Sequence, residues 1–168
     1  KAGMLAPSSK NRQPWHFIVT TGSAKEQVLK AMEAGLKREE KQPFLPESAP
    51  YLDGARATLK IMKEAPVIIF ITDPLASPMD QPLAIDERVS EICNAQSMGA
   101  AIENMTLAAT ELGLGSLWIC NTLFAQEELN HWLNADGQLY AALAVGYADE
   151  APAPRPRRKA ELTVEWRK

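Results

Sequence analysis

The feature that most narrows the fold of this chain is a long helical stretch, from about Glu87 to Leu112, with little charge on any side. Val89, Ile92, Cys93, Gln96, Ala100, Ile102, Met105, Leu107 and Ala108 fall around its whole circumference. A helix apolar nearly all round has to be covered on several sides, so the pattern predicts a central, buried helix. Gly113 stands where a C-cap is needed. The second constraint is Val67-Ile68-Ile69-Phe70-Ile71-Thr72, an apolar run bounded by turn residues. Such a run predicts a strand buried on both faces. It is far short of the roughly 20 apolar residues that cross a bilayer.

The remaining elements fit around these two. Lys1–Ala6 reads as the last turns of a helix. The chain opens without methionine and without an N-cap, so a preceding segment is expected to be missing from it. Pro7–Pro14 is a polar loop bracketed by prolines, and Trp15–Thr20 is a β-rich run that Gly22 breaks. Ser23 and Glu26 form a capping-box pattern, opening a helix to about Lys41 with Val28, Leu29, Met32 and Leu36 on one face. After the proline-rich loop 42–50 a second helix spans Leu52 to Glu64. Leu114–Ile119 and Leu139–Tyr147 read as strands, with a short helix Gln126–Leu133 between them. Beyond the proline-rich segment 152–156, Glu161–Trp166 alternates polar and apolar residues, the period of a half-exposed strand. Helices and strands interleave without a strict βαβ rhythm, which predicts an α+β fold with one sheet between helical layers. The 168 residues suit a single domain, 1–168, with 151–168 as a C-terminal arm.

Composition removes several classes of function. A hydrophobic share of 46% and a charged share of 23% exclude a mostly disordered chain. The formal net charge of −3 gives no global attraction to nucleic acid or to an anionic membrane, and neither is expected as a partner. Cys93 and Cys120 make no disulfide framework and fit a reducing cytoplasm. With 2 histidines and 2 scattered cysteines there is no metal-ligand spacing. Asp86, Glu87, Glu127 and Glu128 open helices, where they suit the dipole, and form no acid–base pair.

Three segments carry the chemistry. The loop Pro7-Ser8-Ser9-Lys10-Asn11-Arg12-Gln13-Pro14 offers hydroxyl and amide donors and acceptors to a polar, planar ligand, or simply caps its own turns. Glu111-Leu112-Gly113-Leu114-Gly115-Ser116 places its glycines after a helix, the wrong order for a dinucleotide-binding fingerprint, which puts them after a strand. Pro154-Arg155-Pro156-Arg157-Arg158-Lys159 is either a solvated basic tail or a stiffened set of forked donors suited to a phosphate monoester.

The Pro-Ser-Ser-x-Asn-x-Gln-Pro-Trp-x-Phe run, together with the order of elements along the whole chain, resembles the FMN-dependent nitroreductase family. The resemblance implies a nitroreductase-like α+β fold with a central, mainly antiparallel mixed sheet flanked by helices. It implies a homodimer with FMN at the subunit interface and a C-terminal strand, Leu162–Trp166, exchanged with the partner. Pro7, Ser8, Ser9 and Asn11 would then approach the flavin bound mainly by the other subunit, with Gln13 fixing the loop or touching the cofactor. Trp118, Ile119, Cys120 and Asn121 would pass beside the isoalloxazine ring and offer backbone N–H groups near N5 and O4. Cys120 and Asn121 depart from the Glu-Gly pair of some members, a change that bears on pocket shape. Arg155 and Arg157 would hold the FMN phosphate, with Arg158 and Lys159 as alternates, and Lys60 would stand near N1 and O2. The paired-arginine and serine motif with which members usually begin does not precede Lys1.

The implied activity is ping-pong hydride transfer from NADH or NADPH to a nitroaromatic, quinone or similar small-molecule acceptor. The flavin carries that chemistry, and no catalytic side chain is invoked. A non-catalytic flavin-binding dimer, and a same-fold enzyme of dehalogenation or flavin breakdown, stand as alternatives. The short stretches 42–50 and 73–86, where a lid would be inserted, favour the general reductase.

Overall fold

The computed structural model describes residues 1–167. Its strands are β1 (His16–Thr20), β2 (Val67–Asp73), β3 (Gly115–Ile119) and β4 (Gln138–Gly146). Its α-helices are α1 (Gly22–Lys41), α2 (Leu52–Glu64), α3 (Ile85–Glu111) and α4 (Gln126–Leu133). The strands form one sheet in the order β1-β2-β4-β3. Every ladder is antiparallel, so among the described residues the sheet is not the mixed one expected. His16 faces Thr72, Phe70 faces Ala142, and Trp118 faces Leu143, with an irregularity between Ile71 and Thr72. The two central strands are the two most apolar runs of the chain, as burial on both faces requires.

The sheet does lie between helical layers. On one face α1, α2 and α4 bury Val28, Met32, Leu59, Met62 and Leu129 against Ile68, Phe70 and Ala142. The α1 face repeats at helical spacing through Val28, Met32, Leu36 and Glu39, all buried. On the other face α3 sets Met98 and Ile102 against Ile71, Ala141 and Leu143. Each fully buried large side chain of this kind contributes roughly 1.5–3 kcal/mol.

Four further expectations need correction. The helix α3 is an outer layer here: Val89, Ile92 and Leu107 are half-exposed or more, because nothing among the described residues covers the side of α3 away from the sheet. Ser23 and Glu26 form no capping box, since Gly22 turns at a φ of +50° and the helix begins two residues early, with Thr21 at the N-cap in place of Ser23. Lys1–Ala6 holds one 3-10 turn, Gly3–Leu5, and not the end of an α-helix. Glu161–Trp166 is no strand within its own chain: a 3-10 turn at Ala160–Leu162 sits in a tail exposed throughout, with no sheet edge beside it.

Candidate functional site

The Pro7–Pro14 loop turns sharply at the start of β1. Lys10, Asn11 and Gln13 all carry positive φ, at 53°, 53° and 48°. Left-handed backbone at non-glycine residues costs on the order of 1–3 kcal/mol each and concentrates at functional sites. The loop meets part of this cost itself. The Gln13 backbone N–H donates to Ser8 Oγ at 3.0 Å, and Gln13 Nε2 donates to Asn11 Oδ1 at 3.3 Å. Gln13 thus bonds to both Ser8 and Asn11 within the loop. Ser8 and Ser9 are half-buried, while Pro7 and Asn11 are exposed. Trp15 and Phe17, stacked 6.4 Å apart, pack against the α3-side core as an aromatic floor.

The second expected segment, Trp118–Asn121, takes in the last two residues of β3 and the two that follow. Trp118 is 40% exposed, enough to offer an apolar surface, whereas Ile119 is buried and can contribute only backbone. Cys120 is exposed and free. Asn121 is half-buried, and its Nδ2 donates to Thr58 Oγ1 of α2 at 3.0 Å, so this amide is engaged inside the chain. Thr58 in turn donates to the Gly54 carbonyl at 3.0 Å. A 3-10 turn, Asn121–Ala125, begins there, and its first N–H groups lack partners within the turn. Thr122 Oγ1, fully buried beside them, has no hydrogen-bond partner among the described residues.

The registers bring these two segments to the same end of the sheet but to opposite edges. β1 starts and β3 ends there, with β2 and β4 between them. Three inter-strand steps separate those edges by roughly 14 Å. One chain therefore does not close the loop onto the β3 end.

The cationic residues are spread further. Lys60 is exposed on α2, and Arg155, Arg157, Arg158 and Lys159 are exposed on the tail. Among the described residues none of them has a carboxylate within 4.0 Å. Sequence reasoning missed Thr58 and also Ser97, a buried serine of α3 that meets the loop. A polar residue on the apolar run of α3 was the signal that could have found Ser97.

A further cavity of about 280 Å³ lies between the loop after β2 and the start of α3, lined by Asp73, Asp86, Glu87, Glu91, Asn94 and Tyr140. Burial, with Asp73 and Glu91 nearby, pushes the Tyr140 phenol up to about 12. Asp73 is spent on Asn94 at 2.7 Å and the Leu75 N–H at 3.0 Å.

The donor set suits a flavin mononucleotide: neutral hydroxyls and amides for a planar ring, an aromatic edge, and unpaired cations for a phosphate. The family model described as Nitroreductase family matches residues 1–147. The chain belongs to the nitroreductase family. A protein of Archaeoglobus fulgidus, provisionally named NADH dehydrogenase/NAD(P)H nitroreductase, is 31% identical over 119 residues, 71% of this chain. This family member spans only 50% of that relative's length. The iodotyrosine deiodinase of Thermotoga neapolitana is 28% identical over 162 residues, covering 94% of this chain and 78% of the deiodinase. A crystal structure from Desulfovibrio desulfuricans, provisionally named a nitroreductase and in complex with FMN, superposes with a TM-score of 0.67 at 25% identity. It covers 98% of this chain and 78% of its own. No helix among the described residues is long and apolar enough to cross a membrane.

Proposed function

We propose that two copies of this chain form an FMN-dependent NAD(P)H oxidoreductase with the flavin at their seam. The observation that carries this reading is the separation of the two polar segments. The loop 7–13 and the segment 118–121 stand on opposite sheet edges of one chain, so each is free to complete a site with the other segment of a second copy. The uncovered apolar side of α3, with Val89 and Ile92 half-exposed and Leu107 more so, supplies a surface for that second copy. The exposed tail, with Leu162, Val164 and Trp166 facing solvent, is long enough to reach across and add a strand to the partner.

In this reading the chain's residues divide the binding between them. Pro7, Ser8, Ser9 and Asn11 bring neutral donors to the ring, held by Gln13. Trp118 to Asn121 line the other side, with the Asn121 side chain tethered to Thr58 so that its backbone is the part left for the ligand. Arg155 and Arg157 hold the phosphate through forked, charge-assisted hydrogen bonds, with Arg158 and Lys159 in reserve. Lys60 supplies a positive charge toward the ring. When bound, FMN supplies hydride chemistry between a nicotinamide and a small acceptor.

The test is colour and its loss. The purified protein should be yellow or take up FMN, and NADH or NADPH should bleach it in the absence of oxygen. A colourless protein that rejects added FMN overturns the reading. The Thermotoga relative favours a second reading, reductive dehalogenation. Halide release from a halogenated tyrosine, with no turnover of nitroaromatics or quinones, would select it.

A further inference from the structure

Ser97 is 5% exposed on the sheet-facing side of α3. Its hydroxyl donates to the Cys93 carbonyl at 2.7 Å, one helical turn back. The same oxygen accepts the backbone N–H of Ser9 at 3.3 Å. Both capacities of this buried hydroxyl are therefore used, one within the helix and one on the loop. Among the described residues, every other hydrogen bond made by residues 7–13 stays inside the loop: Asn11 to Ser8, Arg12 to Ser9, and Gln13 to Ser8 and Asn11. Among the described residues the Ser9–Ser97 bond is thus the hydrogen bond that links this left-handed stretch to the rest of the fold.

We propose that Ser97 is a positioning residue that holds the Ser8–Gln13 loop in its flavin-receiving shape. The inference rests on the flavin reading above for its function, but the anchor itself is a property of the free chain. With the Ser9 amide fixed on α3, Ser9 Oγ and Asn11 Nδ2 keep no partner among the described residues and stay available to a ligand. Without the anchor, the positive-φ residues Lys10, Asn11 and Gln13 have no external contact of this kind to oppose their return to ordinary backbone.

The test uses the full chain with Ser97→Ala, which removes the hydroxyl and little volume, and Ser97→Thr, which keeps the hydroxyl. Thermal melts establish that each variant folds. Trypsin cleavage after Lys10 and Arg12, both exposed in the loop, is timed without FMN, and FMN affinity is measured by fluorescence quenching. The expected result is faster cleavage and roughly five- to tenfold weaker FMN binding for Ser97→Ala, the size of one neutral hydrogen bond. Ser97→Thr should restore both. Unchanged cleavage and affinity in Ser97→Ala would overturn the proposal. So would equal effects of both variants with matching losses in melting temperature, which mark packing and not the hydroxyl. If the wild-type chain binds no FMN, the flavin reading fails by itself, and the cleavage times still decide whether Ser97 anchors the loop.

Discussion

Gly35 of α1 rests directly on the main chain of Ala125, leaving no room for a side chain at position 35. A Cβ there would overlap the Ala125 Cβ and Cα and would press on the Glu128 carboxylate. This contact lets α1 approach the turn that follows the candidate flavin segment, so helix packing and site geometry share one constraint. Gly35→Ala should therefore destabilise the protein, although alanine is better than glycine in a helix by roughly 1 kcal/mol. Overpacking costs about 1–3 kcal/mol. A lower melting temperature, by several degrees for a chain of this size, is the expected reading in a thermal melt. An unchanged or higher one would mean that α1 shifts freely.

Next to that contact stands a buried ion network. Glu39, 1% exposed, accepts the Phe44 and Leu45 N–H groups at 2.8 and 3.0 Å and an Arg38 nitrogen at 2.9 Å. Burial pushes its carboxyl up, but these donors outweigh burial and hold it below the usual carboxylate range. A depressed folded value gives stability that is present above the unfolded value and is lost as pH falls through the folded one. Glu39→Gln should cost about 1.5–3 kcal/mol in urea unfolding at pH 7, the size of hydrogen bonds to a charged group. The gap to wild type should narrow as the pH is lowered toward 3. A gap independent of pH would show that the charge of Glu39 contributes nothing.

Much of this architecture was legible in the residues because it depends on local spacing. α2 and α4 fall where periodicity put them, and β2 follows its apolar run one residue further, to Asp73. The loop motif likewise stood out, since prolines, serines and amides at fixed offsets are visible in one dimension. What could not be read is how far one chain covers its own apolar segments. The apolar circumference of Glu87–Leu112 is real, but a single sheet covers only one side of it. The alternation of Glu161–Trp166 suggests a strand, but no sheet edge among the described residues lies beside it. Ser97 was hidden for a different reason: its role depends on the Ser9 amide, 88 residues away, arriving above one turn of α3.

The tail arginines give a test that separates charge from fold. Arg155 and Arg157 are exposed and without carboxylate partners among the described residues, so replacing both by alanine should leave the melting temperature unchanged. If they hold the phosphate, FMN affinity should fall by about ten- to a hundredfold, the worth of charge-assisted bonds. Riboflavin, which has the ring but no phosphate, should bind the wild type and the double variant alike. An equal loss for both ligands would assign the tail a structural role.

The bare side of α3 yields the sharpest test of the two-chain site. Ile85, Val89 and Ile92 lie at helical spacing on one stripe, exposed by 76%, 53% and 50%. Under the two-chain reading this contiguous apolar stripe is the contact surface. Val89→Asp with Ile92→Asp puts charge on it while removing little from the chain's own core. The variant should sediment as a monomer with near-normal melting behaviour, whereas the wild type should sediment as a dimer. It should also lose FMN binding, even though loop 7–13, segment 118–121 and the tail arginines are untouched. That joint loss follows from the proposed two-chain site, in which the polar segments on opposite edges of one sheet meet across a second copy. A monomeric variant that still binds FMN with wild-type affinity would place the whole site within one chain.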